Sequence, residues 1–336
     1  MIGVALVGAM AFVIPWTHIF GILLIAQLIM GFGFGFMDVS INIIVTLAFQ
    51  TTLNETLNNL HGSFGVGALL GPLLLSLSLQ FLHEMAWSFS IGFVVALITI
   101  ILLAWQQIPT LSEQNKAAPQ YTSANSRKVL TQTVVWLMAL QMFLYVGAEV
   151  GFGSWIVTVI SQGTKTALVI AAPAATLFWF GLTGGRLLGA QLLKYRMLSE
   201  DLLLYLCFIG SGASGLFVAI FPGSLLLSFT LCLLFGFFLG PVFPNIMAIA
   251  SRRFVHALGT ISSLILFSAG ASGIILPALI GIIITHIGIG WGIAVPALVG
   301  LLMTIPFYFA ARYPSLQLGN DAHTMEEQET TSTVGE

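Results

Sequence analysis

Residues 202–251 read LLLYLCFIGSGASGLFVAIFPGSLLLSFTLCLLFGFFLGPVFPNIMAIAS, fifty consecutive positions between Asp201 and Arg252 without one charged side chain. A helix crossing a bilayer needs about 20 apolar residues, so this stretch holds two crossings, divided near Pro222 and Gly223. The rest of the 336-residue chain is similar: 58% of it is hydrophobic and 7% charged, with a mean hydropathy of +1.03. Soluble domains carry about 25% charged residues. The composition therefore excludes a soluble enzyme, a nucleic-acid binder and a secreted disulfide scaffold. It defines a polytopic membrane protein. Backbone in lipid must satisfy its own hydrogen bonds, and the alternating segments of about 10 residues that mark a barrel do not occur, so the expected fold class is all-α.

Apolar stretches fall at 1–15, 20–47, 57–80, 87–106, 131–161, 167–192, 201–221, 224–250, 259–286 and 290–312, which predicts about ten transmembrane helices. With ten, both termini share one side. The loops and tail on that side hold Lys116, Arg127, Lys128, Lys194, Arg196, Arg252, Arg253 and Arg312, whereas the opposite loops hold Lys165. This bias places both ends in the cytoplasm. Four organisational units are expected: an N-terminal bundle over 1–106, a polar cytoplasmic linker over 107–129, a C-terminal six-helix bundle over 130–312, and a disordered acidic tail over 313–336. Cys207 and Cys232 lie in apolar runs without ligand or redox spacing, so neither a metal nor another cofactor is expected.

A displacement of 205 residues superimposes the chain on itself. It pairs Gly31, Phe32 and Gly35 with Gly236, Phe237 and Gly240, and Ser63, Gly65, Pro72 and Leu74 with Ser268, Gly270, Pro277 and Leu279. One shared offset across two successive helices requires equal intervening lengths, as in a protein of two parallel halves. Extrapolated to the start of the second half near residue 130, the offset expects two further spans, about 75 residues, before Met1. The first bundle is thus expected to be incomplete, four spans against six.

These residues resemble the major facilitator superfamily and, within it, the proton-linked fucose transporter family. GFGFGFMDVSIN at 31–42 is similar to the family's fourth helix, with Asp38 four residues before Asn42. LNNLHGSFGVGA at 57–68 is similar to the fifth, YVGAE at 145–149 to the start of the second half, and Phe243-Pro244 to the tenth. The resemblance implies a transporter with two pseudo-symmetric bundles, a small solute bound between them and protons as co-substrate, in a bacterial cytoplasmic membrane. It further implies that Asp38 is the acid of proton coupling and that His61 stands where the family has a residue facing the substrate. By this resemblance the family's first helix, with a second acid, is expected to fall before Met1, and the family has an amide where this chain has Glu149.

An ionised side chain at the centre of a membrane helix costs about 2.5–3.5 kcal/mol on insertion scales, which singles out Asp38, Glu149 and Arg186. Asp38 and Glu149 are the candidate proton-coupling acids; alternatively Glu149 pairs with Arg186 and is structural. Arg186, in GGRLLG at 184–189, resembles the superfamily's glycine–arginine gating signature and is expected to latch the cytoplasmic end. Asn42, one turn from Asp38 on the same face, could hold that carboxylate, bind a solute hydroxyl, or join helices. His61 could bind sugar, pair with Asp38, or be solvated at the membrane edge. Gln141 and Asn245 are the remaining candidate solute contacts, since sugar pockets combine amides with aromatic faces such as Tyr145, Trp155 and Trp179.

The expected function is a monomeric, proton-coupled transporter of a sugar-like solute, its partners being solute, protons and lipid, without nucleic acid. A drug exporter of the same fold and a non-transporting remnant are the alternatives. An intramembrane enzyme is not expected, because the chain contains no HExxH, DxxD or GxSxG.

Overall fold

In the computed structural model, residues 1–105 and 129–313 are described, apart from 83, 85, 222, 255 and 256. The expected linker and tail fall almost wholly outside these residues. Helices occupy all ten apolar stretches: α1 (Ile2–Val13), α2 (Phe20–Ala48), α3 (Leu53–Leu82), α4 (Ala86–Trp105), α5 (Thr133–Thr164), α6 (Leu168–Ala171), α7 (Pro173–Lys194), α8 (Glu200–Ile220), α9 (Leu225–Leu239), α10 (Val242–Arg253), α11 (Leu258–His286), α12 (Ile289–Leu302) and α13 (Thr304–Arg312). Among the described residues, seven helical segments are long and apolar enough to cross a membrane. The other expected spans are α1, which is short, α3, which opens on a polar run from Asn54 to His61, and α7, interrupted by Arg186 and Gln191.

Three expected spans are each divided in two, and proline accounts for the breaks. The ring of a proline clashes with the carbonyl four residues back. Pro306 thereby ends α12 at Leu302, Pro241 separates α9 from α10, and Pro173 starts α7 at a position that needs no intrahelical N–H partner.

The 205-residue displacement recurs in the helix boundaries. It carries the first and last residues of α2 onto the start of α9 and the end of α10, and the start of α3 onto the start of α11. In a protein of two parallel halves, equivalent residues can meet where the halves touch. Thr46 and Ser251, separated by 205 positions, do so: the Thr46 hydroxyl approaches the Ser251 hydroxyl at 3.4 Å.

In lipid, helices gain little from burying apolar surface and associate by close packing instead. Phe152 of α5, Phe178 of α7 and Phe235 of α9 interleave, the rings of Phe152 and Phe235 stacking at 3.9 Å between centroids and those of Phe152 and Phe178 lying 5.4 Å apart. α7 and α9 cross backbone to backbone: a Cβ on Gly185 would strike the Phe237 carbonyl, and one on Gly236 the Phe178 carbonyl. Backbone cannot swing aside as a side chain can. We expect Gly236→Ala to cost about 1–3 kcal/mol, read as a fall in detergent Tm. Gly21→Ala, where a Cβ meets nothing within 4 Å, serves as the control; equal Tm values for the two would refute the close crossing.

The halves meet along α3 against α7 and α10, and along α2 against α11. Large side chains pointing away from these contacts, such as Phe20, Trp105 and Ile274, are exposed, as lipid-facing residues should be.

Candidate functional site

A cavity of about 450 Å³ opens where α2, α3, α5, α7, α10 and α11 converge. Its polar lining is Asp38, His61, Glu149, Arg186 and the indole-bearing Trp179; Phe34, Phe64 and Phe243 supply aromatic faces. The four ionisable side chains come from four helices and both halves.

Arg186 organises the wall. Its Nη2 donates to Glu149 Oε1 at 3.3 Å and to the Tyr145 hydroxyl at 3.2 Å. Nη1 donates to the main-chain carbonyl of His61 at 2.9 Å, and Nε to that of Gly240 at 3.3 Å. The Phe64 ring lies 5.9 Å from the guanidinium carbon. The Arg186 and Glu149 side chains are 3% and 9% exposed, so the pair is desolvated, and its attraction must repay that cost through these hydrogen bonds. The planar fork of arginine suits four acceptors in different directions; lysine would be a point charge. The alternative in which Glu149 pairs with Arg186 is therefore the observed one. Arg186 lies eight residues, about 12 Å of helix rise, inside the Lys194 end of α7, in the cavity wall and not at the membrane edge where a latch was expected.

Asp38 is in a different situation. Its carboxylate accepts from Asn42 Nδ2 at 3.0 Å, and the same amide donates to the Asp38 carbonyl at 2.9 Å. Among the described residues, no lysine, arginine or histidine forms an ion pair with it. Its charge, when ionised, is met by no counter-cation among the described residues.

His61 is buried and lines the cavity, its ring edge-on to Phe243 at 4.6 Å, which corrects the alternative that it is solvated at the membrane edge. Its Nε2 has no hydrogen-bond partner among the described residues. Three expected solute contacts are placed elsewhere. Asn42 is buried behind Asp38. Asn245 is fully buried, with Nδ2 donating to the Pro241 carbonyl at 2.6 Å and Oδ1 accepting from Asn58 at 3.4 Å. Gln141 opens into a second cavity. Trp155 donates to the Pro277 carbonyl at 2.8 Å and serves as an interhelical tie. Among the described residues, no three His, Cys, Asp or Glu side chains cluster as a metal site.

At the end of the molecule that carries Lys194 and Arg252, polar pins join the halves. Arg252 Nη1 donates to Asn54 Oδ1 and Nη2 to Glu200 Oε2, each at 2.5 Å, and Asn54 also bonds Glu200. Lys194 donates to Glu55 at 2.7 Å. Glu200 is held in place because it opens α8, where Ser199 Oγ caps the Leu202 N–H at 3.3 Å. Asn54, Asn58 and Glu55 were not singled out in the sequence, although LNETLNNLH at 53–61 is a dense polar run at the start of a membrane helix.

Two helical halves whose helix boundaries repeat at a 205-residue offset, with charged side chains at a cavity between them, define a two-bundle membrane protein. The family model described as Major Facilitator Superfamily matches residues 1–277, and the chain belongs to that superfamily. It is 26% identical over 306 residues to the sodium-dependent glucose transporter 1 of Xenopus laevis, covering 84% of this chain and 62% of that protein. It is 24% identical over 337 residues to bypass of stop codon protein 6 of Saccharomyces cerevisiae, covering 88% and 64%. The chain thus spans about three fifths of the length of these curated relatives. A crystal structure of the E. coli fucose:proton symporter FucP superimposes with a TM-score of 0.75 at 19% identity, over 93% of this chain and 83% of that one. This is a likeness of fold.

Proposed function

We propose that the protein is a secondary transporter that carries a small neutral sugar across the bilayer, its halves rocking about the central cavity, with Asp38 exchanging the coupling proton. The observation that carries this reading is the unpaired acid: Asp38 faces the cavity in the membrane interior with an amide as its side-chain partner, while the Glu149 charge is already met by Arg186. Supporting it are relatives named as glucose transporters and a structural neighbour named as a fucose symporter. Sugar would be held by His61 and Trp179 against the aromatic faces, a combination of flat apolar and hydrogen-bonding surface that suits a hexose ring. Arg186, by bonding the His61 carbonyl of the other half, would govern closure from inside the cavity. On this reading the pinned end is the cytoplasmic one.

Sodium coupling is the second reading, favoured by the names of the vertebrate relatives. Hard cations need a cage of oxygen ligands, and among the described residues the side-chain hydrogen bond of Asp38 is to an amide nitrogen. Proteoliposomes separate the two: uptake of labelled D-glucose driven by an inward pH gradient without sodium supports protons, and uptake requiring a sodium gradient overturns proton coupling.

The pins are partly exposed, and such pairs are worth about 0–1 kcal/mol each. Their expected effect is on the conformational balance more than on stability. With Arg252→Ala and Lys194→Ala combined, about 1 kcal/mol shifts the ratio of states about fivefold. A cysteine placed at Gly35 should then change its alkylation rate by a similar factor, against natural cysteines that are buried. An unchanged rate would deny the pins a role in closure.

A further inference from the structure

The second cavity, about 340 Å³, lies inside the C-terminal half among α5, the start of α8, α10 and α13. Gln141 lines it, and although that side chain is only 2% exposed, neither its Oε1 nor its Nε2 has a hydrogen-bond partner among the described residues. A buried amide left unsatisfied costs about 1–3 kcal/mol, so the position calls for a polar occupant. Around the mouth stand Asp201 and Arg253, together with Glu200 and Arg252, which are engaged with each other. Arg253 Nη1 donates to the Ala310 carbonyl at 2.7 Å, and Phe307 gives the wall an aromatic face. Two acids balance two bases, which disfavours a singly charged ion.

Gln141, Tyr145 and Glu149 succeed one another at four-residue spacing on one face of α5. They form a polar ridge running from this cavity to the central one. Tyr145, wholly buried and bonded through its hydroxyl to Arg186, stands between the two.

We propose that this second cavity is a binding site for a small neutral polyhydroxy solute, with the Gln141 amide at its base and Asp201 at its mouth. A carboxylate, a carboxamide and a ring face together meet the hydroxyls and the C–H surface of a sugar-sized molecule. The class of ligand rests on the sugar-transport reading above; the existence of the site rests on Gln141. The site is separate from the central cavity, with the buried Tyr145 between them.

Protection from alkylation tests it site by site. A cysteine at Ala311 reports on this cavity and one at Gly35 on the central one. With D-glucose as probe, at twice its Kd, alkylation of Ala311→Cys should slow about threefold. Protection should persist when His61→Ala disables the central cavity, and should vanish with Gln141→Leu. Asp201→Asn, at an exposed position, should weaken it without altering folding. Protection at Gly35 alone overturns the second site and leaves the transport reading standing. Protection at Ala311 that disappears with His61→Ala also overturns it, since the effect is then transmitted from the centre. Protection at neither position overturns both.

Discussion

Asp38→Asn is expected to bring the accumulation ratio of solute under a pH gradient down to one, while leaving exchange of solute across proteoliposomes intact. The substitution keeps the size of the side chain and an oxygen for the Asn42 amide to bond, and removes the capacity to carry a proton. An ionised carboxylate at the centre of a membrane helix costs about 2.5–3.5 kcal/mol, and no ion pair among the described residues offsets that cost at Asp38. The energetic incentive to bind a proton whenever the cavity closes is thus built into the position. Exchange needs only that loaded carriers reorient, so a permanently neutral side chain should permit it. Wild-type accumulation by the Asn variant would remove Asp38 from the coupling step; loss of both accumulation and exchange would make Asp38 a structural residue.

The second large effect concerns stability. Arg186→Leu leaves Glu149 buried without its cation, removes one partner of the Tyr145 hydroxyl, and strips the His61 and Gly240 carbonyls of a donor. Breaking one side of a buried pair costs about 3–5 kcal/mol, a large share of a typical total of about 5–15 kcal/mol. We expect a sharp fall in folded yield and in detergent Tm. Glu149→Leu in the same chain should recover much of the loss, because two apolar groups replace one stranded charge. If the double variant is no more stable than Arg186→Leu, the pair is not the source of the effect.

Much of the architecture was legible because lipid permits few solutions. All ten helical stretches follow from runs such as 202–251, and the 205-residue displacement predicts the matching helix bounds of the two halves. The divisions at Pro241 and Pro306 follow from ring geometry, but the direction in which each kinked segment turns is set by its neighbours. That is why Asn245, just past Pro241, meets Asn58 and not the cavity.

The site was legible in its charges. Asp38, Glu149 and Arg186 are conspicuous in an apolar background, and the cost of burying each forces it towards a partner or a cavity. Gln141 has the same helical phase as Glu149 but stands two turns away along α5, so facing the right way did not put it at the right depth. Phe34 and Phe64 gave no signal, because an aromatic side chain facing a cavity and one facing lipid look alike in sequence.

On the proposed reading, solute crosses through the cavity holding Asp38, His61 and Arg186. Gly35 borders that cavity, and a Cβ there meets nothing within 4 Å, so Gly35→Trp should fill the space without disturbing the helices. The decisive measurement is counterflow of labelled D-glucose in proteoliposomes, for the wild type and for Gly35→Trp matched in Tm. Saturable counterflow in the wild type and its abolition in Gly35→Trp is the predicted result. Undiminished counterflow in the plugged protein, or none in the wild type with any hexose, would overturn passage of sugar through this cavity.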